Sequence, residues 1–419
     1  MLDRSLAPAF SKKNSFDLPR PEVIKLHDNL DLVFLGNLQQ DVFKLEIIFK
    51  AGKWYETKPG VSHFTSVMLD KGTAQKSSKQ IAELFDYHGA QIEISPGYDF
   101  VSVSLYGLTK HFRELLPVFI EILTTPSLPQ NELDLQKGIF IQQLEVSNKK
   151  NSAVASKLIR KNIFGGAHPY GNSIEKTDVL NLSQENLQGY FTNYFSAHEI
   201  YLIGNFDSSQ VQWLVTELHL LKKDSVHVNH EFAIQNQVVI QNVTTLDSVQ
   251  SSIRLGKPVI NRAHPDYFAL LLLNHILGGY FGSRLMKNIR EAKGLTYGIY
   301  SSINPFKNDC MFSIGADVNK DKLELTISEI KKELESLSQK LIPENELIIS
   351  KNHLLGSLQL EVANPFTSFD KIKNLRLNQL SEGYYQNLFS SVQAVSLSAL
   401  QTTSQKYLSI DDLFEVTVG

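Results

Sequence analysis

The spacing of apolar and polar residues in the first part of the chain predicts strands followed by helices. Apolar runs at residues 32–35 and 45–49 predict two strands. Residues 92–94 predict a third, and residues 101–105 alternate valine and leucine with serine, which is typical of a strand with one buried face. Two sets of apolar residues recur at helical spacing, namely Val61, Phe64, Val67 and Met68, and then Phe112, Leu115, Leu116, Phe119, Ile122 and Leu123.

The same order of elements recurs after a polar connection at residues 221–231. Residues 238–240 and 251–255 predict strands, and an apolar helix follows them. Two further strands are predicted at residues 297–303 and 311–316. A closing amphipathic helix has its apolar residues at gaps of four and three, at Leu323, Ile327, Ile330, Leu334, Leu337 and Leu341.

This repetition indicates an internal duplication. We expect the α+β class, with two homologous halves, each a mainly antiparallel sheet with helices packed on one face. The predicted domains are residues 1–225 for the first half and residues 226–419 for the second. The first 25 residues or so carry Pro8, Pro19 and Pro21 and are predicted to form a loosely held arm.

Composition and charge narrow the classes of function. Lys and Arg number 41 against 44 Asp and Glu, a net charge of -3, so no basic surface for nucleic acid is expected. No stretch approaches the roughly 18 apolar residues that a membrane span needs. The single cysteine, Cys310, excludes disulfides within the chain and thiolate-rich zinc sites. A soluble chain is expected, in the cytoplasm or, if a signal peptide preceded this sequence, in the periplasm.

One segment calls for a chemical interpretation, and it runs from Gly60 through His63, Ser66 and Val67 to Thr73. It resembles the active-site helix of the insulinase/pitrilysin family of zinc peptidases, which carries the inverted motif His-x-x-Glu-His. Both imidazoles of that motif lie on one helical face and bind one metal ion, and the glutamate deprotonates the metal-bound water. The resemblance also implies a third ligand, a glutamate on a later helix.

Of these metal-side residues only His63 is retained. Ser66 stands at the position of the general base and Val67 at that of the second ligand, and the resemblance places Gln143 at that of the third. A serine hydroxyl is too weakly basic to replace a carboxylate, and valine has no lone pair. Zinc rarely accepts a neutral amide. We therefore expect no metal and no other cofactor to be bound by this chain, and zinc to be bound by a partner.

The corresponding segment of the second half, ILGGYFGSRLM followed by IREAKGLTYG within residues 276–298, matches the family closely. The resemblance identifies Arg290 and Tyr297 as the pair that reaches the zinc half in relatives. A tyrosine hydroxyl can donate to the oxyanion that forms at a peptide carbonyl, and a guanidinium offers a permanently charged fork to backbone carbonyls. The structural alternative is a surface arginine and a tyrosine that packs on a sheet.

Three hypotheses follow. The leading one is a non-catalytic subunit of a heterodimeric zinc metallopeptidase, in which Arg290 and Tyr297 bind the peptide substrate at the zinc site of a homologous partner that has an intact motif. The alternative is a catalytically silent peptide-binding or scaffold subunit. The least favoured is a self-sufficient metallopeptidase that recruits Glu145 together with His63. The isolated chain is expected to bind no stoichiometric zinc under the first two hypotheses and about one equivalent under the third.

Overall fold

The computed structural model describes residues 16–28, 30–221, 230–234, 236–245 and 248–419. The elements of the first half are β1 (Glu22–His27), β2 (Leu30–Leu35), β3 (Val42–Phe49), α1 (Val61–Val67), α2 (Ser78–Tyr87), β4 (Gln91–Pro96), β5 (Val101–Leu108), α3 (Phe112–Thr124), α4 (Gln130–Asn148), α5 (Asn151–Phe164), α6 (Lys176–Asn181), α7 (Gln184–Tyr194), β6 (Ala197–Gly204) and α8 (Ser208–Leu218). Those of the second half are β7 (Ile240–Val243), β8 (Gln250–Pro258), α9 (Tyr267–Gly278), a π-helical segment (Met286–Ala292), β9 (Thr296–Pro305), β10 (Cys310–Asn319), α10 (Leu323–Gln339), α11 (Glu344–Glu361), α12 (Pro365–Leu377), α13 (Tyr384–Ala394), α14 (Leu397–Tyr407) and β11 (Phe414–Val418). Short 3₁₀ turns lie at Lys53–Tyr55, Thr109–His111 and Lys320–Lys322.

Two sheets organise the described residues, one of six strands and one of five. The first has the order β1-β2-β6-β3-β5-β4, and the second has the order β7-β11-β8-β10-β9. Each contains a single parallel pair, β2 with β6 and β7 with β11, at the same place in the order. The second sheet therefore repeats five strands of the first in position and direction. This repetition agrees with the duplication that the sequence pattern indicates.

Each sheet has one face covered by helices of its own half. In the first half Leu115 and Phe119 of α3 lie in one apolar cluster with Leu45 and Ile47 of β3. In the second half Ile330 of α10 belongs to the equivalent cluster. The stripes that the helical spacing identified are the faces turned toward these sheets. Leu341 was wrongly included, because α10 ends at Gln339 and Leu341 is 55% exposed.

The opposite face of the second sheet is covered by a helix that belongs to the first half. Ala155, Ile159 and Ile163 follow one another at intervals of four along α5, so they share one helical face. They form a buried cluster with residues of β11, including Val416. Gly256 of β8 permits this approach, because a Cβ there would lie 3.1 Å from Ile163 Cδ1 and 2.7 Å from a backbone oxygen.

A reciprocal contact covers the opposite face of the first sheet. Phe369 and Ile372 of α12, in the second half, pack on Ile48 of β3 and on Tyr201 and Ile203 of β6. Alternate residues of a strand point to opposite faces, so β3 contributes Ile48 to this cluster while Ile47 joins the cluster within its own half. Each half therefore supplies the helix that covers the second face of the other half's sheet.

Polar contacts also attach α5 and α12, the two helices exchanged between the halves, to the sheets that they cover. Lys373 of α12 donates to both carboxylate oxygens of Glu46, each at 2.8 Å, and Lys44 lies 2.8 Å from the same carboxylate. These two ammonium groups hold the pKa of Glu46 below its ordinary value against the opposing effect of burial. On the other side, Arg254 Nε of β8 donates to Ser156 Oγ of α5 at 3.0 Å.

The predicted fold class is confirmed: the chain is α+β, with two similar halves built on mainly antiparallel sheets. The N-terminal arm is predicted too long, because β1 already begins at Glu22 and pairs with β2. The strand predicted at residues 238–240 instead begins at Ile240, where it gains β11 as a partner.

The predicted domain boundary at residue 225 lies outside the described residues. No helix in the described part of the chain has the length and apolar composition to cross a membrane.

Candidate functional site

Helix α1 positions His63, and its N-terminus is fixed by a carboxylate. Gly60 precedes the helix with a φ of 88°, a conformation that glycine adopts without steric cost. Glu56 Oε1 accepts hydrogen bonds from the backbone N–H groups of Gly60 and Ser62, at 3.0 and 3.2 Å. These bonds satisfy N–H groups at the start of the helix that have no partner within it.

The surroundings of His63 are apolar. Its ring lies 5.0 Å from the ring of Phe140 on α4 and 5.3 Å from that of Phe64, measured between centroids. Burial lowers the pKa of His63, so the neutral ring is favoured at neutral pH. An aromatic side chain thus occupies the side of α4 that faces the imidazole.

The positions of the general base and second ligand contribute no group that could serve a metal. Ser66 is 0% exposed, and its hydroxyl donates to the carbonyl oxygen of Ser62 at 2.7 Å, which directs it back into the helix. Val67 is half-buried at the last residue of α1. The hydroxyl that replaces the carboxylate is therefore committed to the backbone.

Helix α4 does not bring a carboxylate to His63 either. Gln143 is exposed, whereas Phe140 on the same helix contacts the imidazole. Glu145, the ligand required by the third hypothesis, pairs instead with Lys176 at 2.8 Å on the surface. Within the described ranges no group of three or more His, Cys, Asp or Glu residues could hold a metal ion.

In the second half Arg290 lies in the π-helical segment that follows α9. Its guanidinium carbon is 4.7 Å from the centroid of Phe281, a cation–π distance that holds the charged group beside an aromatic ring that is 63% exposed. Gly278 lets the end of α9 approach β9, because a Cβ there would lie 2.5 Å from the backbone nitrogen of Ser301. Gly278 therefore has a structural role in this segment.

Tyr297 lies at the start of β9, the outermost strand of its sheet, and is 94% exposed. The pairing with β10 shifts register between Ala316 and Val318, which inserts an extra residue into β9 at this point. Thr296 Oγ1 fixes the bulge by donating to the carbonyl oxygen of Asp317 at 2.7 Å. Tyr297 therefore does not pack on the sheet, and its hydroxyl is accessible to a partner or substrate.

The sequence-derived residues form two separate sets. His63, Ser66, Val67 and Gln143 lie in the first half, on α1 and α4, and Arg290 and Tyr297 lie in the second, around the first residues of β9. In the part of the chain that the structure describes, no hydrogen bond or ring contact joins the two sets. Among the described residues, the positions on α1 and α4 thus bring no metal-binding group into contact with the arginine and tyrosine.

A histidine cluster in the second half was missed by sequence reasoning. His275 Nε2 of α9 and His353 Nδ1 of α11 are 3.0 Å apart, and the ring of Tyr280 contacts both imidazoles. No short motif links these residues, since His275 and His353 lie on different helices. The signal that could have identified them is the duplication, because α9 and α11 occupy in the second half the places of α1 and α4 in the first.

Comparison with known proteins gives matches to both halves of the chain. A family model described as "Insulinase (Peptidase family M16)" matches residues 32–178, and a model described as "Peptidase M16 inactive domain" matches residues 181–354. A crystal structure of a peptidase M16 inactive domain from Pseudomonas fluorescens is similar with a TM-score of 0.88 and 25% sequence identity, covering 96% of this chain and 98% of that one.

Two bacterial relatives are similar along most of their length. An uncharacterized zinc protease named YmxG from Bacillus subtilis (strain 168) is 24% identical over 368 residues, which cover 84% of this chain and 86% of the relative. A protein from Helicobacter pylori (strain ATCC 700392 / 26695), named as the non-peptidase homolog YmxG, is 22% identical over 361 residues, covering 84% and 83%. Proteins named as proteases and as a non-peptidase thus both resemble this chain.

Proposed function

The chain belongs to the insulinase family, peptidase family M16, and from this premise we propose that it is a non-catalytic subunit that acts with a homologous zinc-bearing partner. In this proposal Arg290 and Tyr297 bind the peptide substrate and its transition state at the zinc site of the partner. The observation that carries the proposal is the contrast between the two sets of residues. The metal-side positions are apolar, internally bonded or turned to solvent, while the substrate-side tyrosine is 94% exposed.

The chemistry of the first set supports the absence of a zinc site on α1. Zinc in proteins is bound by thiolates, imidazoles and carboxylates, and a catalytic site supplies three of them. His63 is the one such group among the four positions, and its ring contacts Phe140 rather than a second ligand. These residues do not fit a zinc ion, so no catalytic step is assigned to this half of the chain.

The second set supports a role toward a peptide. The Tyr297 hydroxyl can donate to a carbonyl oxygen as that oxygen becomes negatively charged, an interaction that is strongest in the transition state. Arg290 offers a planar guanidinium that can donate to two carbonyl oxygens at once. An extended peptide would pair with the free edge of a sheet, and β4 and β9 each have one unpaired edge in the described sheets.

Exposed apolar side chains support association with another chain. Leu135, Ile139 and Val146 project from one face of α4 and are 55%, 39% and 56% exposed. Helix α11, which has the place of α4 in the second half, also exposes large apolar residues, namely Ile348, Ile349 and Leu360. A homologous partner would offer equivalent helices to cover them.

The decisive experiment is reconstitution. We expect this chain and a family member from the same genome with an intact His-x-x-Glu-His motif to be inactive alone and to form, when mixed, a peptidase that a chelator inhibits. Substituting Tyr297→Phe should lower the kcat of the pair by about tenfold or more, because one hydrogen bond to the oxyanion is lost. Tyr300→Phe is the matched control, since Tyr300 lies on the same strand and is 50% exposed.

A second candidate, a silent peptide-binding or scaffold subunit, is favoured by the loss of every metal-side group except His63. Under this alternative the mixed chains would assemble and bind peptide but would show no hydrolysis. Assembly and peptide binding without hydrolysis would therefore support the scaffold role, whereas equal turnover by the Tyr297→Phe and parent pairs would contradict the role of Tyr297 in the transition state.

A further inference from the structure

A cluster of three rings, formed by His275, Tyr280 and His353, involves helices α9 and α11. His275 and Tyr280 are stacked with 4.6 Å between ring centroids and an interplanar angle of 8°. His353 completes the cluster at 5.0 Å from His275 and 4.5 Å from Tyr280. The hydroxyl of Tyr280 lies 3.2 Å from Ser350 Oγ, one turn before His353 on α11. The stacked tyrosine therefore fixes the plane of the His275 ring.

The two imidazoles direct nitrogens at each other. His275 Nε2 and His353 Nδ1 are 3.0 Å apart, so in the metal-free pair one nitrogen donates its proton to the lone pair of the other. Two imidazole nitrogens that bind one tetrahedral zinc ion, each at about 2.0–2.1 Å, lie about 3.3 Å apart. To bind one ion, the two nitrogens must separate by a few tenths of an ångström and the rings must turn so that both lone pairs point at the ion. The exposed His353 side chain has room for that rotation.

We propose that His275 and His353 form a two-histidine site for a divalent transition metal ion of the zinc, nickel or copper class. Imidazole nitrogens are suitable ligands for these ions, and carboxylate-preferring ions such as magnesium and calcium would be rejected. For both nitrogens to present lone pairs, the ring that donates in the metal-free pair moves its proton to its other nitrogen. No net proton is released, and water completes the coordination.

The environment of the pair supports this assignment. His275 is 8% exposed, so the ring is held by the protein, whereas His353 is exposed and leaves a path for the ion. Both ligands lie on helices, which position side chains more rigidly than loops do.

The test is metal titration of the full chain, without an affinity tag, followed by calorimetry and by thermal unfolding. Zinc or nickel should bind with about one equivalent and raise the unfolding midpoint by about 2–5 °C at saturation. His353→Asn should weaken binding at least tenfold, and this variant should fold because the side chain is exposed. His275→Asn should have the same effect, and the ring nitrogen signals of both histidines should shift on metal addition in nuclear magnetic resonance spectra.

Two control variants make the result specific. His219 Nδ1 lies 3.3 Å from His27 Nε2, a separation that would also suit two ligands, so His219→Asn tests whether the metal binds at that pair instead. His63→Asn removes the retained residue of the degenerate motif. Both controls should bind metal as the parent chain does. The proposal is overturned if the parent chain binds no zinc or nickel, if His353→Asn binds as tightly as the parent, or if binding disappears in either control.

Discussion

The serine at position 66 illustrates how a single side chain decides whether α1 can serve a metal. Its hydroxyl is buried and donates to the carbonyl oxygen of Ser62, so it behaves as part of the helix backbone. Phe64 and Phe140 surround the neighbouring His63 ring. The surroundings of His63 are therefore apolar, and a charged side chain introduced at position 66 would lack a counter-ion.

Two substitutions at this position should have opposite consequences. Ser66→Ala should change the free energy of unfolding by less than about 1 kcal/mol, because alanine has the higher helix propensity and the lost bond is internal. Ser66→Glu should destabilise the chain by at least about 2 kcal/mol, since it buries an unpaired carboxylate. Urea denaturation of both variants measures this difference, and a Ser66→Glu chain as stable as the parent would contradict the apolar description of the site.

At this scale the sequence predicted the chemistry of the site better than its geometry. The identities of Ser66, Val67 and Gln143 already exclude the family's ligand set, because the loss of lone pairs and carboxylates is a property of the residue types. The exposure of Tyr297 could not be predicted, because it follows from a bulge in the pairing of β9 with β10. A register shift depends on how two strands pair, so it cannot be predicted from the sequence of either strand alone.

At the scale of elements, the exchanged helix α12 depends on a buried ion pair as well as on apolar contacts. Lys373 donates two 2.8 Å hydrogen bonds to Glu46, whose side chain is 5% exposed. Removing the ammonium leaves that carboxylate with Lys44 alone. Because a buried charge that loses a partner is costly, this contact should be visible in stability measurements.

Lys373→Met should lower the free energy of unfolding by about 1–3 kcal/mol. The control is Lys176→Met, which removes an ion pair with Glu145 in which both side chains are more than half exposed. That change should lower the free energy of unfolding much less, because surface ion pairs contribute little. Equal losses in the two variants would show that the Glu46 contact adds nothing to the attachment of α12.

The same contact predicts a pH dependence. The lysines lower the pKa of Glu46 in the folded chain below its ordinary value of 4.5, so the unfolded chain takes up the proton first as the pH falls. The stability from this group is complete above pH 4.5 and is lost as the pH falls through the lower pKa of the folded state. Glu46→Gln should therefore reduce the loss of stability below pH 4.5 in urea denaturation. An unchanged pH profile in this variant would contradict the assignment.

The elements themselves were largely predictable, and their partners were not. Periodicity located α1, α3 and α10 because a helix that covers a sheet needs an apolar stripe, and α9 was predicted from its run of apolar residues. The stripe of Ala155, Ile159 and Ile163 on α5 says that one face is buried but does not say by which sheet. Which sheet α5 and α12 cover depends on contacts between residues far apart in the chain, so the local sequence pattern does not reveal it.

At the scale of the whole molecule, the exchange makes the two halves dependent on each other. Without the second half, the face of the first sheet that includes Ile48, Tyr201 and Ile203 would be exposed to water, together with the inner face of α5. The second sheet would lose its cover in the same way. Exposed apolar faces of this kind promote aggregation.

Cutting the chain in its polar connection tests this dependence. We expect fragments of residues 1–225 and 226–419 to aggregate or remain unfolded when expressed separately, because each lacks the helix that covers its sheet. Coexpressed, they should form a soluble one-to-one complex with the circular dichroism spectrum of the intact chain. Size-exclusion chromatography makes the distinction, and two fragments that are each monomeric and cooperatively folded would contradict the interlocked arrangement.

The reciprocal helices also restrict how the molecule can move. A hinge that swung the two halves apart would have to strip α5 from Val416 and α12 from Tyr201, breaking two apolar layers and the buried bridge to Glu46 at once. Such a motion would expose both apolar layers to water, so we expect the two halves to move together as one body. If peptides are bound between this chain and a second subunit, they would enter where the two subunits meet and not through a cleft within this chain.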